Sequence, residues 1–127
     1  MAARETLPWA AGVWAAIVFG ACTHDATEVM VRVDSDIATV REGGPLERVT
    51  FRVGRVGETL AREVSVELRG AANALPGDYL VTVEDPDDTR LVRVEVTGVL
   101  NAGEPVRREF EVRPVARQRR LLRAFLA

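Results

Sequence analysis

Glu28-Val29-Met30-Val31-Arg32-Val33-Asp34 is the stretch that decides the fold class. Val29, Val31 and Val33 alternate with Met30 and Arg32. A period of two puts the three valines on one face of a half-buried strand, where a helix would scatter them. The same pattern recurs along the chain with turn signals between the repeats. Asp34-Ser35-Asp36 and Glu42-Gly43-Gly44-Pro45 close the first segment. Leu46 to Val56 then sets Val49, Phe51 and Val53 against Glu47, Arg48, Thr50 and Arg52, and Gly57-Glu58 breaks it. Leu60 to Arg69 carries Val64, Val66 and Leu68 inward. Leu75-Pro76-Gly77-Asp78 turns into an inward set of Tyr79, Val81 and Val83. After Asp85-Pro86-Asp87-Asp88, Arg90 to Thr97 repeats the pattern with Val92, Val94 and Val96. Asn101-Ala102-Gly103-Glu104 leads to Val106–Arg113, whose inward set of Arg108, Phe110 and Val112 is less pure.

Short β-branched strands at intervals of about 10–15 residues, with no convincing helix between them, predict an all-β fold. The expectation is an antiparallel β-sandwich or barrel of about seven strands over residues 28–127. Each fully buried Val or Leu contributes about 1.5–3 kcal/mol, so a dozen of them support a core of this size. The Cys–Trp–Cys pin of immunoglobulin domains is missing. An Ig-like topology is therefore an analogy, and a transthyretin-like sandwich fits equally well.

The N-terminus reads differently. Leu7 to Ala21 contains no charged residue, and its fifteen residues are too few to span a bilayer as a helix, which takes roughly 20. That length suits a signal helix, so residues 1–21 stand apart from the folded domain. Val18-Phe19-Gly20-Ala21-Cys22 resembles the lipobox of bacterial lipoproteins, with cleavage between Ala21 and Cys22. The resemblance implies acylation, with palmitate among the acyl groups, of Cys22. Phe19, where an aliphatic residue is usual, and Glu5, which offsets Arg4, depart from the pattern. A plain secretory signal and an uncleaved anchor are the alternatives. Cys22 is the only cysteine, so no internal disulfide exists, and acylation accounts for a lone thiol in an oxidising compartment. Thr23, in place of an Asp retention signal, points to the outer membrane, with inner membrane or secretion as alternatives. Residues 22–27 form a short tether.

Removing residues 1–21 leaves one domain's worth of chain. The formal net charge of −2 and export together argue against nucleic acid as a partner. All 17 basic residues are Arg, as a GC-rich genome produces.

The C-terminal stretch reads two ways. As a helix starting at Pro114, Val115, Leu121, Leu122, Phe125 and Leu126 share one arc, and the pattern alone prefers this. As strands, a turn near Ala116-Arg117-Gln118 joins Glu109–Val115 to Arg119–Leu126. Glu28 to Asp36, Leu46 to Val53, Val92 to Gly98 and Val115 to Leu126 together resemble a set of predicted myxobacterial lipoproteins, in which a valine-rich strand ending in Asp-Ser-Asp follows the lipobox. That resemblance implies a β-sandwich of no established role. It also implies a hairpin half at residues 115–126, with Gly often standing where this chain has Arg117. Relatives often continue beyond this point, which implies an uncovered sheet edge near Ala127.

Candidate chemistry is sparse. His24 is the only histidine, and with Cys22 and Asp25 it sits in the tether, where lipidation consumes the thiol. Ser35 and Ser65 lack a nucleophile-elbow context. Gly54-Arg55-Val56-Gly57 lacks phosphate-loop spacing. Asp85, Asp87 and Asp88 are weak candidates for calcium, joined by Asp34 and Asp36 only if folding brings the two loops together. Arg107, Arg108, Arg113, Arg117, Arg119, Arg120 and Arg123 form a basic run suited to anionic head groups or an envelope protein. The expected function is non-catalytic: a membrane-anchored envelope lipoprotein acting as an interaction or structural module, without cofactor. Its partners are the membrane through Cys22 and, through the Arg-rich C-terminus, head groups or a protein.

Overall fold

Valine alternation builds two face-to-face four-stranded sheets in the computed structural model, which describes residues 13–18, 26–58 and 62–127. The strands are β1 (Val13–Val18), β2 (Glu28–Ser35), β3 (Leu46–Arg55), β4 (Arg62–Glu67), β5 (Gly77–Thr82), β6 (Val92–Leu100), β7 (Val106–Val112) and β8 (Arg119–Leu126). One sheet has the order β1-β5-β2-β8 and the other β4-β3-β6-β7. From residue 28 onward the first six strands follow the six alternating segments of the sequence, and β8 is the seventh. The second sheet is antiparallel throughout. In the first, β2 and β5 are antiparallel, while β8 runs parallel to β2 and β1 parallel to β5.

The core is the set that the period of two selects. Val29, Val31 and Val33 of β2 face Val49, Phe51 and Val53 of β3 and Val92, Val94 and Val96 of β6, all fully buried. Among the described residues, this core lies between Val29 and Leu126. β5 departs from the alternation. Tyr79 and Val81 enter the core, but Leu80 and Thr82, on the outer face, are buried as well.

The C-terminal stretch is a strand, not the helix that the pattern alone prefers, and its partner is not the preceding strand. β7 stays with β6, and β8 crosses to the other sheet to pair with β2 over its whole length, Glu28 opposite Arg119 and Ser35 opposite Leu126. The expected hairpin is therefore replaced by a crossover. Pro114 has no N–H to continue β7's ladder. Arg117 turns the chain at φ 59°, and the Glu28 amide donates to the Gln118 carbonyl to start the new ladder. Helical and extended readings were close because β8 carries apolar residues on both faces. Leu122, Ala124 and Leu126 pack toward the core, while Leu121 and Phe125 face solvent.

The expected signal helix over residues 1–21 falls within the description only at Val13–Val18, which is extended; the remainder lies outside the described residues. Among the described residues, no helix is long and apolar enough to cross a membrane.

Candidate functional site

The strand directions give the sandwich two poles. At one, here called proximal, β2 begins at Glu28, and the Asp85–Asp88 loop, the end of β3 and the β7–β8 crossover surround it. Thr27 joins these parts. It is fully buried, its hydroxyl donates to the Pro86 carbonyl, and it accepts the Arg117 amide at 2.7 Å. Nothing in the sequence marks Thr27, a single threonine in a polar stretch. Its role arises only because residues 86 and 117 fold around it.

The acidic loop is committed to arginine. The Asp88 carboxylate receives Arg55 at 2.8 Å and both Nε and Nη2 of Arg90 at 3.0 and 2.9 Å. Hydrogen bonds from Arg90, reinforced by the Arg55 charge, hold its pKa down at about 2 against the desolvation that opposes them. Asp87 meets Arg117 at 3.3 Å, and one oxygen of Asp85 accepts the Asp87 amide, closing the turn. Arg55 and Arg90 as partners of this loop went unread in the sequence, because they lie outside the C-terminal run. Asp34 and Asp36 lie at the opposite end of β2, so folding carries the two acidic segments to opposite poles. Among the described residues, no group of three or more His, Cys, Asp or Glu side chains is arranged to hold a metal ion.

Of the C-terminal arginines, Arg117 and Arg119 reach acids at the proximal pole, Arg119 pairing with Glu28 at 3.0 Å. Arg113 and Arg120 donate to backbone carbonyls, of Thr89 and Arg113 respectively. Arg55, Arg90 and Arg113 also line a shallow cleft of about 330 Å³ with Val56, Leu91 and Glu58. Val56 and Val115 are exposed on this same pole. Basic and apolar groups are thus interleaved around the start of β2. Arg107 and Arg108 lie on β7 instead. Arg107 extends an ion-pair ladder on the outer face of its sheet, in which Glu95, only 4 % exposed, sits between Arg52 at 3.3 Å and Arg107 at 3.4 Å. Arg93 and Glu109 continue it at 2.6 Å.

The two outer faces differ. The ladder covers the β4-β3-β6-β7 sheet with paired charge. On the other sheet Leu80, Met30 and Leu121 stand in register, Leu80 buried and Leu121 exposed, with exposed Phe125 further along β8. At the distal pole, Asp34, Ser35, Thr39, Glu42 and Asn73 line a small polar cavity of about 130 Å³. Ser35 there donates to the Leu126 carbonyl at 2.5 Å and accepts the Ile37 amide, and Ser65 lies against Thr50 at 3.0 Å, so both serines hold local structure.

The chain matches no protein-family model, no curated protein and no solved structure. Ala21, Cys22, His24 and Asp25 lie outside the described residues.

Proposed function

We propose that this chain is a bacterial envelope lipoprotein, acylated at Cys22 and held by the outer membrane. Its β-sandwich serves as a non-catalytic interaction and structural module. The observation that carries the reading is the position of Thr27. It stands five positions after Cys22, a reach of at most about 18 Å at roughly 3.3–3.6 Å per residue. An acylated Cys22 therefore holds the proximal pole against the bilayer. That pole carries Arg113, Arg117, Arg119 and Arg120 with exposed Val56 and Val115, a composition suited to anionic head groups. Multiple acyl chains supply the affinity, and the arginines set which end of the sandwich faces the lipid.

A calcium-binding role for the Asp85–Asp88 loop has less support, since a cation would have to displace two guanidinium groups from Asp88. Radiolabelled palmitate fed to cells tests the proposal. It should enter the wild-type protein and be absent from Cys22→Ser; equal labelling of both overturns the lipoprotein reading.

A further inference from the structure

Val13–Val18 and β2 grip β5 from opposite sides. β5 lies between them in the sheet, with Val18 opposite Thr82 on one flank and Glu28 opposite the same Thr82 on the other. The two flanks draw on different backbone groups. The Val83 amide donates to the Thr27 carbonyl, and along an antiparallel ladder the residues that face a given partner alternate. Gly77, Tyr79, Val81 and Val83 therefore turn their N–H groups to β2, and Asp78, Leu80 and Thr82 turn theirs to β1. The Glu28 amide, which donates to Gln118 on the far side of β2, fits the same phase. Loss of β1 thus leaves every β2–β5 bond in place. Val18 and Glu28 stand about 10 Å apart across two strand spacings, while the chain between them reaches roughly 33 Å. β1 can leave without pulling on β2.

Val13–Val18 belongs to Leu7–Ala21, a stretch without charge. Such a stretch has two seats that demand incompatible backbones. At the β5 edge its N–H and C=O groups meet a neighbouring strand, in the extended form that β-branched and aromatic Val13, Trp14, Ile17 and Val18 favour. In a bilayer no strand is on offer, and the same groups are satisfied only within a helix. We propose that Val13–Val18 is a two-state segment, a strand on β5 while the folded chain is away from lipid and withdrawn from β5 when Leu7–Ala21 enters a bilayer. This rests on the envelope reading, which brings a membrane within reach, and adds that membrane entry opens the β5 edge. That edge has little protection of its own. Its one charge, Asp78, is engaged inside the sheet by Arg32 at 2.7 and 2.9 Å, so β1 blunts an edge that charge does not.

The test uses the full-length chain with Cys22→Ser, unacylated, mixed with vesicles of phosphatidylcholine, whose zero net charge gives the arginines no part in binding. Amide hydrogen exchange is followed residue by residue. Trp9→Phe makes Trp14 the only tryptophan, read by quenching from brominated lipid. Without vesicles the amides of Asp78, Leu80 and Thr82 should be protected. Vesicles should quench Trp14 and speed exchange at those three by about tenfold or more, with Tyr79, Val81 and Val83 unchanged. Acceleration throughout residues 77–83 means that the sheet itself opened, and overturns the proposal. Rapid exchange at Asp78, Leu80 and Thr82 before lipid is added overturns it too, since β1 then never held the edge. So does quenching of Trp14 with unchanged exchange, and so does the absence of both. Palmitate labelling of the wild type separates the two readings. No label together with the alternating response sinks the lipoprotein reading alone, whereas label without that response sinks only the two-state segment.

Discussion

Phe51 of β3 stacks face to face on Tyr79 of β5, with ring centroids 4.0 Å apart and planes within 6°. The pair joins the middle of one sheet to the other in a buried core otherwise made of valine, leucine and Ala124. Tyr79 is fully buried and its hydroxyl has no hydrogen-bond partner among the described residues, so burial raises its pKa. An unpartnered buried hydroxyl costs about 1–3 kcal/mol, while the ring supplies the packing. Tyr79→Phe should therefore stabilise residues 23–127 by about 1 kcal/mol, and Phe51→Ala should destabilise by about 3–5 kcal/mol. Urea denaturation measures both; a less stable Tyr79→Phe means the hydroxyl is satisfied in solution.

Arg117 adopts the left-handed conformation that glycine takes at no steric cost, at φ 59°. That region costs an L-residue about 1–2 kcal/mol, and the exposed pair with Asp87 returns about 0–1 kcal/mol. Arg117→Gly should be neutral or stabilising. Arg117→Val, with a branched Cβ in the same conformation, should lower stability by more than about 1 kcal/mol. Thermal melts of the three proteins order them, and a valine variant as stable as the glycine one refutes the assigned turn.

What the sequence disclosed and what it concealed divide along the range of the interaction. Val29, Val31 and Val33 declare their shared face because alternation is local, and so do Val92, Val94 and Val96. β8 did not declare its partner, since nothing in Arg119–Leu126 says that it pairs with a strand some ninety residues earlier. Leu121 and Leu122 side by side also blur the period. The C-terminal arginines were visible as a run, yet the acids they meet, Glu28 and Asp87, come from distant segments. Asp88 stood as a weak calcium candidate because one of its guanidinium partners, Arg55, comes from β3, and the nearby Arg90 was not read as its partner.

Asp88 links the proximal loop to acid stability. Its folded pKa of about 2 lies below the ordinary carboxylate value, so its contribution is complete above about pH 4 and is lost as pH falls toward 2. Glu109, lowered by its hydrogen bond from Arg93, adds in the same direction. Melting temperature should fall across that window. Asp88→Asn should start lower at neutral pH and fall less steeply. Millimolar calcium should leave the wild-type melting temperature unchanged, because Arg55 and Arg90 already occupy the carboxylate. A calcium-induced rise would reinstate the loop as a cation site.

Thr27 fixes how the chain enters the first strand of the sandwich core, β2. Its hydroxyl donates to Pro86 and accepts from Arg117, so one oxygen pins the acidic loop and the β7–β8 crossover together. Thr27→Val keeps the shape and removes both bonds, leaving the Arg117 amide without its acceptor. The expected cost is about 1–3 kcal/mol. The loss should be local. Amide exchange should accelerate in residues 84–90 and 113–118, while Val31, Val49 and Val94 retain their protection relative to global unfolding. Uniform acceleration across the sandwich would show that Thr27 supports the core rather than the pole. Local acceleration would make Thr27 the residue that pins the acidic loop and the β7–β8 crossover at the start of β2.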